Sequence, residues 1–332
     1  MFTPDGALKL QPEPAPAVAP SLAAVEAARK RIAGFAIRTP LVRLQHDGVA
    51  EIYLKLELLQ PIGSFKIRGA ANALLAMAEE TRRRGVITAS AGNFAQGLGY
   101  AAGQLGISIT ALVPETAAQS KLQALERLGV AIDRRPYAQW WSILQNPAAH
   151  GFDERFVHPC ADAAVMAGNG TIAIEILEEI NPRSVLVPYG GGGLAVGIAA
   201  VIKARSPSIR VLAAESEAGT PVAGAFAAGA PVVVPFDKDT FITGMGSAQV
   251  LPVMWPLVRT LLDGAVSASL QSIAAAIRLV VERHHVVAEG AGAAPVAAAL
   301  AGKAGSGPIV CIVSGGHLDA RHLVTIMNGG LP

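Results

Sequence analysis

Cysteine is nearly missing from this chain. Only Cys160 and Cys311 occur in 332 residues, and they lie too far apart to frame a stapled scaffold, so a reducing cytosol is the expected compartment. Charge of one sign is missing too. The 27 basic residues nearly cancel the 25 acidic ones, the formal net charge is +2, and no basic run reaches five residues, which removes the electrostatic footprint of nucleic-acid or headgroup binding. No run of eighteen apolar residues and no cationic start followed by an apolar core are present, which argues against membrane spanning and secretion and for a cytoplasmic protein. Metal-ligand spacing is also absent. What the chain has is 52% apolar against 16% charged residues, enough to bury a substantial core in one large or two smaller domains.

The first twenty residues, rich in proline, read as a tail or strap. Ser21 is the expected cap of a helix carrying Leu22, Val25, Ala28 and Ile32. A strand is expected over 52–58. Strand and helix units then follow: strand 86–90, helix 94–105, strand 107–113, helix 117–128, strand 130–134, a helix bearing Tyr137, Trp140 and Trp141, and strand 156–158. The second half continues with helix 171–180, strand 184–188, a helix to about 203, strand 210–215, Gly- and Pro-rich loops over 219–250 at the surface or at a subunit contact, helices near 270–284 and 291–301, and strand 309–313. Strands separated by ten to fifteen helical residues predict parallel pairing through crossover helices, an α/β fold. Three strands run into small or glycine-rich turns at Ser90–Asn93, Gly190–Leu194 and Ser314–Gly316, which an open parallel sheet can turn toward one crevice.

Lys66 sits where Gly63 and Pro61 break the chain and an apolar helical run begins, with Ser64 as the expected N-cap. The positive end of that helix and burial among Phe65 and Ile67 both favour the neutral, nucleophilic amine. Gly190, Gly191, Gly192 and Gly193, between a strand and a helix, form a loop free of side chains whose N–H groups beside a helix start suit a phosphate. The spacing is not that of a dinucleotide fingerprint, and no Lys-Ser/Thr pair follows as a nucleotide loop requires. Close packing of helix on sheet is the plainer reading of the same glycines. A reactive lysine and a phosphate cradle together are what pyridoxal phosphate needs, its aldehyde forming a Schiff base with the amine.

Five motifs in this order, GSFKIRGA at 63–70, SAGNFAQG at 90–97, GNGTIAIEI at 168–176, GGGGL at 190–194 and SGGH at 314–317, resemble those of the fold-type II (tryptophan synthase β-like) pyridoxal phosphate enzymes, within them the serine/threonine dehydratase and serine racemase group. The resemblance spans roughly 39–327. It implies two open twisted parallel-sheet domains with the cofactor in the cleft between them: a large cofactor-binding domain from 21–76 and 162–332 and a small substrate-closing domain from 77–161. It makes Lys66 the cofactor-carrying lysine and the base at the substrate Cα, Phe65 the aromatic neighbour of the cofactor, Asn93 the partner of its phenolic oxygen, Gly190–Gly193 with Leu194 the phosphate loop, and Ser314 the hydroxyl facing the ring nitrogen. Ser64 and the loop Ser90, Ala91, Gly92, Asn93 are implied to grip the substrate carboxylate. A homodimer is the implied assembly.

Departures from the pattern refine this. Serine racemases place a serine where this chain has Ala91, and a methyl group carries no proton for the second cofactor face. Dehydration of a serine-, threonine- or phenylserine-type substrate to a 2-oxo acid and ammonia is therefore expected, with racemisation or catalytically silent cofactor binding as the alternatives. Phe94 stands where these dehydratases usually have histidine, and with Tyr137, Trp140 and Trp141 it points to a larger β substituent, although core packing also explains large rings. Glu215, with the carbonyl of Gly219, is a thin candidate for a cation site, because Pro221 replaces an expected aspartate; no bound metal is expected. Glu289 suits either a place near the cofactor or a helix cap. His317 replaces an asparagine common after Ser-Gly-Gly.

Overall fold

A computed structural model gives the structure of residues 16–332. Most of the proline-rich start therefore lies outside the described residues. At its end the Ala17 N–H donates to Val253 O (2.9 Å) and Pro20 is buried, and Ser21 then caps α1 (Leu22–Arg31) by accepting the Ala24 N–H. β1 (Leu41–Arg43) and β2 (Ile52–Lys55) follow, then α2 (Lys66–Ala76), α3 (Glu79–Arg83), β3 (Val86–Ala89), α4 (Asn93–Leu105), β4 (Ile109–Pro114), α5 (Gln119–Arg127), β5 (Ala131–Arg135) and α6 (Tyr137–Gln145). The rest comprises α7 (Ala163–Glu179), β6 (Ser184–Pro188), α8 (Gly193–Arg205), β7 (Arg210–Ser216), α9 (Pro221–Ala228), α10 (Trp255–Leu261), β8 (Ala265–Ala268), α11 (Leu270–His284), α12 (Gly290–Leu300), β9 (Ile309–Ile312) and α13 (Ala320–Met327).

The α/β expectation holds. A six-stranded sheet runs β1-β2-β9-β6-β7-β8, parallel throughout except at the β1–β2 edge, and a separate parallel sheet runs β3-β4-β5. The inner strands β6 and β9 are buried along their whole length, as strands covered by helices on both faces must be. Among the described residues no helix is long and apolar enough to cross a membrane.

Several elements differ from their sequence expectation for identifiable reasons. The strand expected over 52–58 stops at Lys55, and Glu57–Leu59 form a 3-10 turn that swings the buried Glu57 carboxylate inward. Residues 156–158 make one parallel bridge, Phe156 to Ile87, not a strand. α7 begins eight residues before the expected 171, capped by Asp162, whose carboxylate accepts the N–H groups of Ala164 and Val165. Its start was hidden by Gly168 and Gly170, residues that weaken a helix yet are required here, because a Cβ at Gly168 would lie 2.3 Å from Arg68 O on α2. The 219–250 segment expected as loops contains α9. Its start is held by Glu215, not by a helix-capping side chain of its own.

Helix α2 is fixed by a buried charge network. Arg68 donates from Nε to Glu57 Oε2 and from Nη2 to Oε1 (both 2.8 Å), and to Glu175 Oε1 and Oε2 (2.6 and 2.9 Å) and Thr171 Oγ1 (3.0 Å). Lys55 Nζ reaches Glu175 Oε2 and Thr39 O, each at 2.6 Å, and Thr39 Oγ1 donates to Glu57 Oε1 (2.6 Å). Burial favours the neutral carboxylic acid at Glu57, but the Arg68 guanidinium outweighs it and holds the group below the ordinary carboxylate range. Removing the cation alone, by Arg68→Met, leaves two carboxylates buried with Lys55 as their only nearby cation; a loss of about 3–5 kcal/mol is expected in chemical denaturation, and a loss below about 1 kcal/mol would mean that the network does not set stability.

Candidate active site

Lys66 opens α2, as expected, but Ser64 does not cap it. Phe65 occupies the cap position without a side-chain hydrogen bond, and Ser64 instead forms a bridge with Gly315. The Ser64 hydroxyl is buried and has no partner among the described residues. A buried unpaired hydroxyl is costly, and this one lies two residues before Lys66. The Lys66 amine itself lies 4.7 Å from the Phe65 ring centroid and 5.9 Å from that of Phe94, with no hydrogen bond or ion pair among the described residues.

Each of the three expected turns reaches this amine by a different route. The Ser314 turn is joined directly: Phe65 N–H donates to Ser314 O (3.0 Å) and Gly316 N–H to Gly63 O (3.0 Å). The Ser90–Phe94 turn leaves β3 and starts α4, with the Gly92 N–H on Ser90 Oγ (3.3 Å). Ala91 packs at this turn, and Phe94 is buried in the core although its ring edges toward Lys66. α4 can lie this close because a Cβ at Gly97 would meet Ala70 Cβ at 3.2 Å and the Lys66 backbone at 3.3 Å. The glycine loop follows β6, and Leu194 is buried beside Phe65 in the same core cluster.

The glycines at 190–193 are demanded by packing as well as by any ligand. An added Cβ would meet Gly244 O at 3.1 Å from Gly190, Cys160 Sγ at 2.1 Å from Gly191, Tyr189 Oη at 2.9 Å from Gly192, which also has φ +91°, and Cys160 O at 2.6 Å from Gly193. Cys160 lies against this loop at Gly191 and Gly193; burial pushes its thiol up, against the opposing pull of the Lys66 charge and of the two glycine N–H groups. The N–H groups of a loop without side chains, at the start of α8, suit a phosphate oxygen.

Two side chains here were not singled out in the sequence. Cys160 was read only for its redox implication, and Tyr189, buried with an unpartnered hydroxyl under the loop, was passed over as the residue before the glycines. Of the two readings of Glu289, the structure supports the place near the site: it occupies the cap position of α12 without capping, and its carboxylate faces Asn93 instead. The cation candidate is otherwise engaged. Both Glu215 carboxylate oxygens accept N–H groups, from Val222 (2.7 Å) and Ala223 (3.1 Å), and burial pushes the group up to about 7. Gly219 packs against the Phe236 ring, and among the described residues no cluster of three or more metal-ligating side chains exists. Of the aromatic residues of α6, Trp140 Nε1 donates to Leu112 O (3.1 Å) and its ring packs under the small sheet, Trp141 packs both there and against the cluster that holds Phe65, and Tyr137 is exposed.

A lysine amine near two rings, an orphan buried hydroxyl and a glycine turn at the start of a helix fit pyridoxal phosphate. Comparison with known proteins agrees. The family model for pyridoxal-phosphate dependent enzymes matches residues 32–315, and the chain belongs to that family. It is 37% identical over 314 residues to an L-threonine ammonia-lyase of Geobacter sulfurreducens, covering 91% of this chain and 76% of the relative, and 34% identical over 337 residues to a catabolic L-threonine dehydratase of Staphylococcus aureus, covering 94% and 93%. Its fold superposes on maize serine racemase with a TM-score of 0.83 at 30% identity, over 94% of this chain and 98% of that one.

Gly191→Ala is expected to weaken pyridoxal phosphate binding to the apoprotein at least about tenfold, through the clash with Cys160. Cys160→Gly in the same chain should recover part of the loss; absorbance titration checks both, and unchanged affinity in the single variant would show that the loop yields freely.

Proposed function

We propose that the protein is a pyridoxal phosphate-dependent ammonia-lyase that removes water from a β-hydroxy amino acid of the serine, threonine or phenylserine type, giving a 2-oxo acid and ammonia. The observation that carries this reading is the Lys66 amine near a substrate turn in which the methyl group of Ala91 stands where a racemase would need a proton carrier. When bound, pyridoxal phosphate supplies the electron-withdrawing ring that acidifies the substrate Cα–H. Lys66 both carries the cofactor and, once its amine is free, accepts the Cα proton. Ser64 and the Ser90–Asn93 turn receive the substrate carboxylate through hydroxyl and N–H donors, and Asn93 and Phe65 hold and flank the cofactor ring. The Ser314 hydroxyl would face the ring nitrogen and, being neutral, would leave that nitrogen less positive than a carboxylate partner would, which would favour early departure of the β-hydroxyl. The β-hydroxyl leaves as water with the proton removed from Cα, and the enamine product takes up one water molecule to become the 2-oxo acid and ammonia. The names of the two curated relatives support dehydration.

The racemase alternative draws on the names of similar solved structures, maize serine racemase and two further racemases, whereas Ala91 offers no proton donor to serve the opposite face. We further propose that residues 77–161 close over the substrate, that the enzyme acts as a cytoplasmic homodimer, and that Phe94, near enough to Lys66 to meet a substrate side chain, sets the size of the β substituent.

Lys66→Ala should abolish both the visible absorbance of the lysine-bound cofactor and the release of oxo acid; full retention of activity sinks the reading. Release of oxo acid from a panel of β-hydroxy amino acids of both configurations tests the reaction, and inversion at Cα without oxo acid would establish the racemase instead. Phe94→His should shift kcat/KM about tenfold or more from phenylserine toward threonine, an effect in the range that one altered pocket contact supplies.

A further inference from the structure

Glu289 contacts both the Asn93 turn and the turn after Ser314, and no step above uses it. It is 3% exposed. Its N–H donates to Gly315 O (2.9 Å), which fixes it to the turn after Ser314. Its Oε1 fills the space that a Cβ at Gly315 (2.6 Å) or at Gly244 (3.1 Å) would take, so both glycines exist to seat this carboxyl. Across the crevice Asn93 Nδ2 reaches Oε1 and Oε2 at 3.4 and 3.5 Å. These are long contacts, and charge on the acceptor decides how firmly they hold. Asn93 begins α4 beside the small sheet and Glu289 begins α12 beside the large one, so this contact joins the two halves of the crevice.

We propose that Glu289 is a positioning residue of the cofactor site: through its charge it sets the Asn93 amide and thereby couples the substrate turn to the Ser314 turn. This rests on pyridoxal phosphate being held at Lys66, as proposed above, but not on which amino acid is turned over. The groups facing the carboxyl are Asn93 on α4, the backbone N–H of His317, and the cations of Lys66 on α2 and Lys121 on α5; among these its burial dominates and pushes it up to about 7. The His317 ring is itself pushed down by burial, so it does not supply a compensating positive charge. The site thus carries a charge that appears on Glu289 across neutral pH. The folded protein binds this proton more tightly than the unfolded chain does. The carboxyl's contribution to stability is therefore greatest below its ordinary value of 4.5 and falls away as pH rises toward about 7.

The test compares Glu289→Gln, Glu289→Asp and Asn93→Ala by titrating each apoprotein with pyridoxal phosphate and by following apoprotein denaturation against pH. Glu289→Gln should weaken cofactor binding about tenfold near pH 8 and much less near pH 6, where the wild-type carboxyl is itself largely neutral. The same variant should lose the decline in apoprotein stability that the wild type shows between those values. In the Asn93→Ala background the further effect of Glu289→Gln on binding should fall below about twofold, because the two residues act as one unit. Glu289→Asp, which keeps the charge, should retain the pH dependence and carries the test if the Gln variant does not fold. Equal weakening at both pH values, full additivity with Asn93→Ala, or a pH-independent Asp variant would each overturn the proposal. Absence of oxo acid release with these binding differences intact would overturn the proposed reaction and leave Glu289 in its role.

Discussion

The buried guanidinium of Arg68 is the interaction on which the rest depends. It stands two residues beyond Lys66 on the same helix, and the carboxylates of Glu57 and Glu175 fix it from two different elements, the turn after β2 and the helix α7. Desolvating such ions is expensive, and a well-packed apolar replacement of the whole group could be equally stable. What an apolar group would lack is direction. Five N–H groups in a rigid fork admit one arrangement of α2 against α7, and the lysine at the head of α2 inherits that arrangement. Lys55 adds the charge that leaves two cations facing two carboxylates in the network.

From that fixed point the site is assembled out of strand ends. β9 and β6 belong to the large sheet and deliver the Ser314 turn and the glycine loop, whereas β3 belongs to the small sheet and delivers the Ser90–Asn93 turn. The turns meet because glycines let backbones approach where side chains would hold them apart, at Gly97 against Lys66 and at Gly191 and Gly193 against Cys160. The crevice is therefore as much a product of missing Cβ atoms as of the polar groups it displays.

The sequence made the chemistry more legible than the geometry. Lysine between a chain break and a helix, a glycine run after a strand and small turns at three strand ends each follow local rules, and β2, β6, β7 and β9 of the large sheet were readable from their apolar patterns, whereas the short outer strands β1 and β8 were not. Where long-range packing overrode local preference, the reading failed. Ser64 has the residue type of a helix cap but pairs with Gly315, a partner some 250 positions away. The start of α7 was masked by glycines whose purpose is contact with α2. Glu57 sits in a run that alternates like a strand yet turns inward to meet Arg68. Cys160 joins the site only through tertiary proximity and no local pattern announces it, whereas Glu289 stood out at a helix start whose two readings only the structure separates.

Gly69, Gly97 and Gly168 touch no substrate, yet a Cβ at any of them would push α2 away from α7 or α4. A survey of inactive variants would collect them alongside Lys66 and the glycine loop, and activity alone would not separate scaffold from chemistry. Only the distance over which Lys66 is displaced distinguishes the two, so in this fold the border of the active site is drawn by helix spacing and not by contact with the ligand.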